Sequence, residues 1–278
     1  MKPPPLPDAC RLITNADLAL LRAARPRLWL DPRKSCLTCL KADGSTYRWY
    51  ADGTRAEIAT YECNCRDQWL LHLWLLNAGI GLNYQRLSWD DVATVPAHVV
   101  EQIQEYALHA ATAVSSGQSL VLWSTGSGTG KTLMLMLLCK ALMAQGYEAY
   151  ASLFTDIIDL FTSSWRVPAE REQWNRRVRN AQILAIDDLG KENGGRIQIV
   201  EDALDQVIRT RVANDAPTAI TTNLTPEQVQ QGYGGYIMSL LSEKATFIEV
   251  PGVNFRARRL VLAQKESQLG LSRPITVV

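Results

Sequence analysis

The chain has 278 residues, a net charge of +1, and 47% hydrophobic against 21% charged residues. That length carries about two domains. The composition excludes wholesale disorder, and neither half is a polycation that would hold nucleic acid by its overall field. The longest apolar run, Leu133 to Ala144, is interrupted by Lys140 and is too short to cross a bilayer. The opening MKPPPLP has no apolar core of a signal peptide, so it reads as a leader of a cytoplasmic protein.

In chain order, residues 1–13 read as leader and Asn15 as the N-cap of a short helix ended by Pro26. Cys36 and Cys39 then form a C-x2-C pair, and Cys63 and Cys65 a C-x-C pair. Between them Thr46 to Tyr50 has strand character, Asp52-Gly53 is a hairpin turn, and Ala56 to Tyr61 returns. Two close cysteine pairs around a hairpin favour one Zn2+ held by four thiolates, a zinc-ribbon layout. His72 lies within reach in sequence, so a Cys3His site stays open as an alternative. Asp67 to Asn77 is an apolar helix closed by Ala78-Gly79, and 83–96 reads as a linker. Cys139, within an apolar helix, reads as core.

From Ser119 onward the pattern alternates strand, loop and helix, as in a parallel α/β sheet. Ser119 to Trp123 is an apolar strand, followed by Ser124-Thr125-Gly126-Ser127-Gly128-Thr129-Gly130-Lys131-Thr132-Leu133 opening an apolar helix. Such a loop curls its N–H groups around phosphate oxygens at a helix N-terminus. Lys131 then reaches the β- and γ-phosphates of ATP, and the Thr132 hydroxyl holds Mg2+. Thr125 stands where the motif's first glycine is usual, with Gly126 one step later. A second apolar strand, Gln182 to Ile186, ends in Asp187 and Asp188. Here Asp187 is expected to hold Mg2+ and Asp188 to serve as general base for the attacking water. A third strand, Pro217 to Thr222, ends in Asn223, placed either to orient water and γ-phosphate or to cap a turn.

The order Ile186-Asp187-Asp188-Leu189-Gly190-Lys191-Glu192, then Ala219-Ile220-Thr221-Thr222-Asn223-Leu224-Thr225, resembles the AAA+ ATPases of DnaC/DnaI-type bacterial and phage helicase loaders. The related IstB transposition helpers are similar. The resemblance covers about 80–265 and implies a P-loop AAA+ domain, a parallel sheet flanked by helices, over 97–278. It implies that Asn223 is the sensor-1 residue and that Arg256, in Gly252-Val253-Asn254-Phe255-Arg256, approaches the γ-phosphate as sensor 2. The family's finger arginine aligns with Leu240 in Ser239-Leu240-Leu241, so it is missing. Arg209 and Arg211 are the nearest substitutes, or else a solvated helix end.

Trp165, Arg166, Arg171, Trp174, Arg176, Arg177 and Arg179 could track phosphates and stack bases of single-stranded DNA. Equally, they could form an amphipathic helix with Trp174 turned inward. The expectation is therefore a zinc-binding, partner-docking module over 1–82 and an ATPase domain that loads a hexameric replicative DNA helicase, self-associating on it. The alternatives are a transposition helper acting on duplex DNA and a nucleotide-dependent adaptor or inhibitor of a helicase without productive hydrolysis.

Overall fold

The structure is a computed structural model, and it describes residues 48–49, 55–56, 65–191, 197–252, 254–255 and 275–277, with side chains for 70–191, 198–252, 254–255 and 275–277. By its contacts the chain divides into Met1–Ser88 with Arg256–Val278, and Trp89–Phe255.

In the first unit, β1 (Arg48–Trp49) pairs antiparallel with β2 (Arg55–Ala56), Arg48 opposite Ala56. This pairing agrees with the expected hairpin. Cys36, Cys39 and Cys63 lie outside the described residues, as does the side chain of Cys65, which begins α1 (Cys65–Asn77). Leu71, Leu73, Leu75 and Leu76 of α1 are buried. The helix stops as Ala78-Gly79 foretells. Gly79 takes φ +82°, its N–H donates to Leu76 O at 3.0 Å, and the Ile80 N–H reaches back to Leu75 O at 2.8 Å. His72 is fully buried, with Nδ1 2.8 Å from Gln85 Oε1, and Gln85 Nε2 donates to Ile80 O.

The second unit holds the α/β core. A 3-10 turn (Trp89–Val92) and helices α2 (Ala97–Leu108) and α3 (Ala110–Ser115) lead into β3 (Ser119–Trp123). Then follow α4 (Lys131–Ala144), β4 (Ala149–Leu153), α5 (Phe154–Ser163), α6 (Pro168–Gln173) and a π-helical turn (Trp174–Arg179). The remainder is β5 (Ile183–Leu189), α7 (Ile197–Ala213), β6 (Thr218–Thr222), α8 (Pro226–Tyr233), α9 (Gly235–Lys244) and β7 (Ala245–Glu249). The strands form one parallel sheet in the order β4-β5-β6-β3-β7.

A parallel sheet covered on both faces needs strands that are apolar on both sides, and Ile183, Leu184, Ala185 and Ile186 are all buried. One cluster joins Val121, Leu184, Ile186 and Ile220 of the sheet to Phe154, Ile157 and Phe161 of α5, Trp174 and Val178 of the π turn, and Val200, Leu204 and Val207 of α7. Helix α4 is buried nearly all round, which explains its uniform apolarity, and it packs against both the sheet and α2. Its Lys140 is fully enclosed; burial pulls the ammonium down to about 7 against the opposing pull of Asp91. Cys139 is core as expected, its thiol pushed up to about 12 by burial. No helix among the described residues is long and apolar enough to cross a membrane.

Candidate nucleotide site

The strand-to-helix loop after β3 sits at the carboxyl edge of the sheet, the usual place for a ligand in this architecture. Two neighbouring strands hold its start: Ser124 N–H donates to Thr222 O at 3.3 Å, and Val250 N–H to Trp123 O at 2.8 Å. Gly128 and Gly130 have φ of +79° and +103°. A side chain on Gly128 would also run into Asn254, and one on Gly130 would meet Val95 Cγ2 at 3.0 Å. These two positions thus need glycine for both conformation and space.

Lys131 is buried, at 6% exposure, and its ammonium faces its own loop. Nζ donates to Ser124 Oγ at 2.7 Å, Gly126 O at 2.9 Å and Thr129 Oγ1 at 3.4 Å. A cation held by oxygens of one short loop is where phosphate oxygens would be received. One residue on, Thr132 Oγ1 donates to Asp187 Oδ1 at 3.0 Å, tying the start of α4 to the end of β5. Asp187 is buried, and that burial raises its pKa; bonds from Thr221 and Thr132 oppose the shift. The pairing of a hydroxyl and a hard carboxylate fits Mg2+, which takes few protein oxygens and keeps water. Among the described residues no group of three His, Cys, Asp or Glu could hold a metal alone.

Asp188 is half-buried and left-handed, with φ +60°, and its Oδ1 lies 2.8 Å from Lys191 Nζ. Its N–H donates to Thr221 Oγ1 at 3.0 Å. Asn223 follows the last residue of β6; Thr222 is paired with Trp123, so Asn223 lies beside the beginning of the loop. Gly126, Ser127, Gly128, Thr129, Gly130, Lys131, Thr132, Leu133, Asp187, Asp188 and Asn223 therefore gather at one edge. Arg256 lies outside the described residues.

Elsewhere the side chains differ from some sequence expectations. Trp174 is buried, at 3% exposure, with its ring 5.1 Å from that of Phe161, so it is core and no stacking platform. Trp165 is exposed, edge-on to Phe161 at 5.0 Å. Of the arginines, Arg166, Arg171 and Arg176 are exposed, while Arg177 lies over Tyr150 and Arg179 is partly enclosed. Arg171 donates to the carbonyls of Ser164 and Trp165.

Arg211 is neither a solvated helix end nor a finger: it is fully buried. Its guanidinium donates to Thr218 Oγ1 at 2.9 Å and to the carbonyls of Val178, Ala181 and Pro217 at 3.1, 2.8 and 2.6 Å. Arg209 is exposed, bound to Asp205 at 2.8 Å and stacked over Tyr236 at 4.6 Å. Leu240 is half-buried against the core. Sequence reading missed Thr221, Ser124 and Arg211 as organisers. For Thr221 the one available signal was the run of threonines in a buried strand, three of the five residues of β6.

No family model and no curated protein matches this sequence. Among solved structures, a replication initiator DnaA bound to AMPPCP and single-stranded DNA is similar at a TM-score of 0.51 and 15% identity. That match covers 69% of this chain and 56% of the DnaA chain. What the two share is the fold, a parallel α/β sheet flanked by helices. Two further structures are similar over a smaller part: the DnaC helicase loader (TM-score 0.48, 20% identity, 54% of this chain and 86% of that) and DnaI (0.46, 19%, 55% and 80%). At such identities the likeness concerns architecture, and the chemistry has to be argued from the residues above.

Proposed function

We propose that this protein binds and hydrolyses ATP and uses that cycle to load a hexameric replicative helicase onto single-stranded DNA. The observation that carries the reading is the chain of contacts from loop to acid: Lys131 over the glycine loop, Thr132 bonded to Asp187, and Asp188 beside it. Gly126 to Leu133 would cradle the triphosphate with backbone N–H groups at the start of α4, and Lys131 would exchange loop oxygens for phosphate oxygens. Thr132 and Asp187 would hold Mg2+, which supplies positive charge to the phosphates as negative charge develops there. Asp188 would accept the proton of the attacking water, with Asn223 orienting that water.

The loader reading, rather than a transposition helper, rests on the motif order of the ATPase together with a cysteine-bearing module ahead of it. Zn2+ in that module rests on cysteine spacing alone, with Cys36, Cys39, Cys63 and Cys65 as ligands and His72 as the alternative donor. Docking to the helicase is assigned to residues 1–82, self-association to the helicase-bound state, and the site of action to the cytoplasm. Trp165 with Arg166, Arg171 and Arg176 is the surface assigned to single-stranded DNA.

The test is a loading assay with the full chain, a replicative helicase and circular single-stranded DNA. ATP-dependent loading by wild type and its loss in Lys131→Ala are expected. Loading that persists in the variant would overturn the reading, and stimulation of a transposase on duplex DNA would replace it with the helper. Capture of helicase without turnover would replace it with the adaptor. In the same preparations, zinc content should vanish in Cys36→Ser/Cys63→Ser while ATP binding survives; zinc retained at wild-type level would rule those ligands out.

A further inference from the structure

We propose that Thr221 is a positioning residue of this site, its one hydroxyl setting both consecutive acids at once; this deepens the ATPase reading above and rests on it. On a regular strand successive side chains point to opposite faces, so Asp187 and Asp188 could not both serve one edge. The pairing of β5 with β6 solves this. Ile186 is opposite Ile220 and Leu189 opposite Thr222, with a break in register between them. Two residues of β5, Asp187 and Asp188, thus stand against Thr221 alone, which is the arithmetic of a β-bulge.

The bulge has a conformational cost. Asp188 sits at φ +60°, a left-handed geometry that aspartate reaches more readily than most residues but that is unusual inside a strand. Thr221 holds it there. Its Oγ1 accepts the Asp188 N–H at 3.0 Å, and its proton goes to Asp187 Oδ1 at 2.5 Å. A hydroxyl has one proton to give and lone pairs to receive, so this division between the two acids uses it fully. Thr221 is completely buried, which keeps water from substituting for it. Thr132 bonds the same Asp187 oxygen from the side of the loop. When the Thr132 hydroxyl serves the metal, Thr221 is the contact that still fixes Asp187 from within the sheet. Thr222 closes the bulge beyond, donating to Leu189 O at 2.7 Å.

The experiment compares Thr221→Val, which keeps shape and loses the hydroxyl, with Thr221→Ser, which keeps the hydroxyl and loses a methyl. Unfolding midpoints are measured first, then binding of a fluorescent ATP analogue with and without Mg2+, then steady-state hydrolysis. For Thr221→Val, kcat should fall about 10–100-fold and the Mg2+ needed for tight binding should rise about tenfold, with Mg2+-free binding within about twofold of wild type. Thr221→Ser should recover most of both. Hydrolysis and Mg2+ dependence near wild type in Thr221→Val would overturn the proposal. So would equal damage in both variants, which would make the methyl's packing the operative feature. If Thr221→Val fails to fold, Thr221→Ser against Thr221→Ala decides on the same two readouts. Wild type that binds no ATP would instead refute the ATPase reading itself, an outcome distinct from an inert Thr221.

Discussion

Two buried cations sit at opposite ends of one parallel sheet, and their acceptors are of different kinds. Arg211, at the amino edge, spends its guanidinium on oxygens of residues as far as 33 positions away, joining the π turn to the entries of β5 and β6. Lys131, at the carboxyl edge, donates to Ser124, Gly126 and Thr129, three oxygens of its own loop that lie within seven positions of it. A cation that links distant segments cannot change partners without loosening the fold. One that bonds a single loop can trade those oxygens for a ligand's. Burial alone therefore does not tell these two cations apart, and the span of the bonds named above is where they differ.

That contrast breaks most visibly at Arg211. Its acceptors are carbonyls and the Thr218 hydroxyl, and burial already pulls the guanidinium down to about 10. Arg211→Ala should lower stability by about 3 kcal/mol or more, because each orphaned buried polar group costs roughly 1–3 kcal/mol. Urea unfolding checks this, and Arg211→Lys should rescue little, since a point charge lacks the planar fork. An unchanged midpoint would remove the structural half of the comparison.

A smaller effect, on rate alone, is expected at the carboxyl edge. Asp188→Asn should leave ATP binding and stability near wild type and slow hydrolysis about 10²-fold or more, the usual worth of a positioned general base. Asparagine tolerates the left-handed backbone at 188, so the variant removes charge without adding strain. Single-turnover hydrolysis measures it, and equal loss of binding would merge the roles of Asp188 and Lys131.

The smallest effect belongs to Arg209, two residues from Arg211. Its bond to Asp205 is an exposed i,i+4 pair, a type that contributes little net stability. Arg209→Ala should leave the unfolding midpoint essentially unchanged in the same urea experiment. A large loss would show that exposure misjudges this end of α7.

Much of this was legible in the sequence where the signal is local. The glycine loop with Lys131-Thr132 and the apolar strand ending in Asp187-Asp188 announce themselves by residue type and order. Arg211 did not, because its partners apart from Thr218 are backbone carbonyls, which leave no trace in residue identity. Trp174 could not be placed because the phase of side chains around residues 174–179 depends on a π-helical turn, marked by the Asn180 N–H bonding Asn175 O five residues back. Thr221 stayed hidden for a third reason. Its role comes from a slip in strand register, and alternation along β5 assigns the two acids to opposite faces.

The parallel sheet has one consequence in terms of field. Helices that return between parallel strands begin at the carboxyl edge, and three open there: at Lys131 after the glycine loop that follows β3, at Phe154 directly after β4, and at Pro226 a short turn beyond β6. Each start carries roughly half a positive elementary charge from aligned peptide dipoles. At the amino edge the helix ending at Ala213 presents carbonyls instead, and Lys244 attends to that end by bonding Asp215 at 2.9 Å and Ser116 O at 3.4 Å. The molecule is therefore polar along its strands although its side chains sum to +1. The positive end that the proposed nucleotide would meet is thus written into chain direction, a property that charge-altering surface substitutions would leave in place.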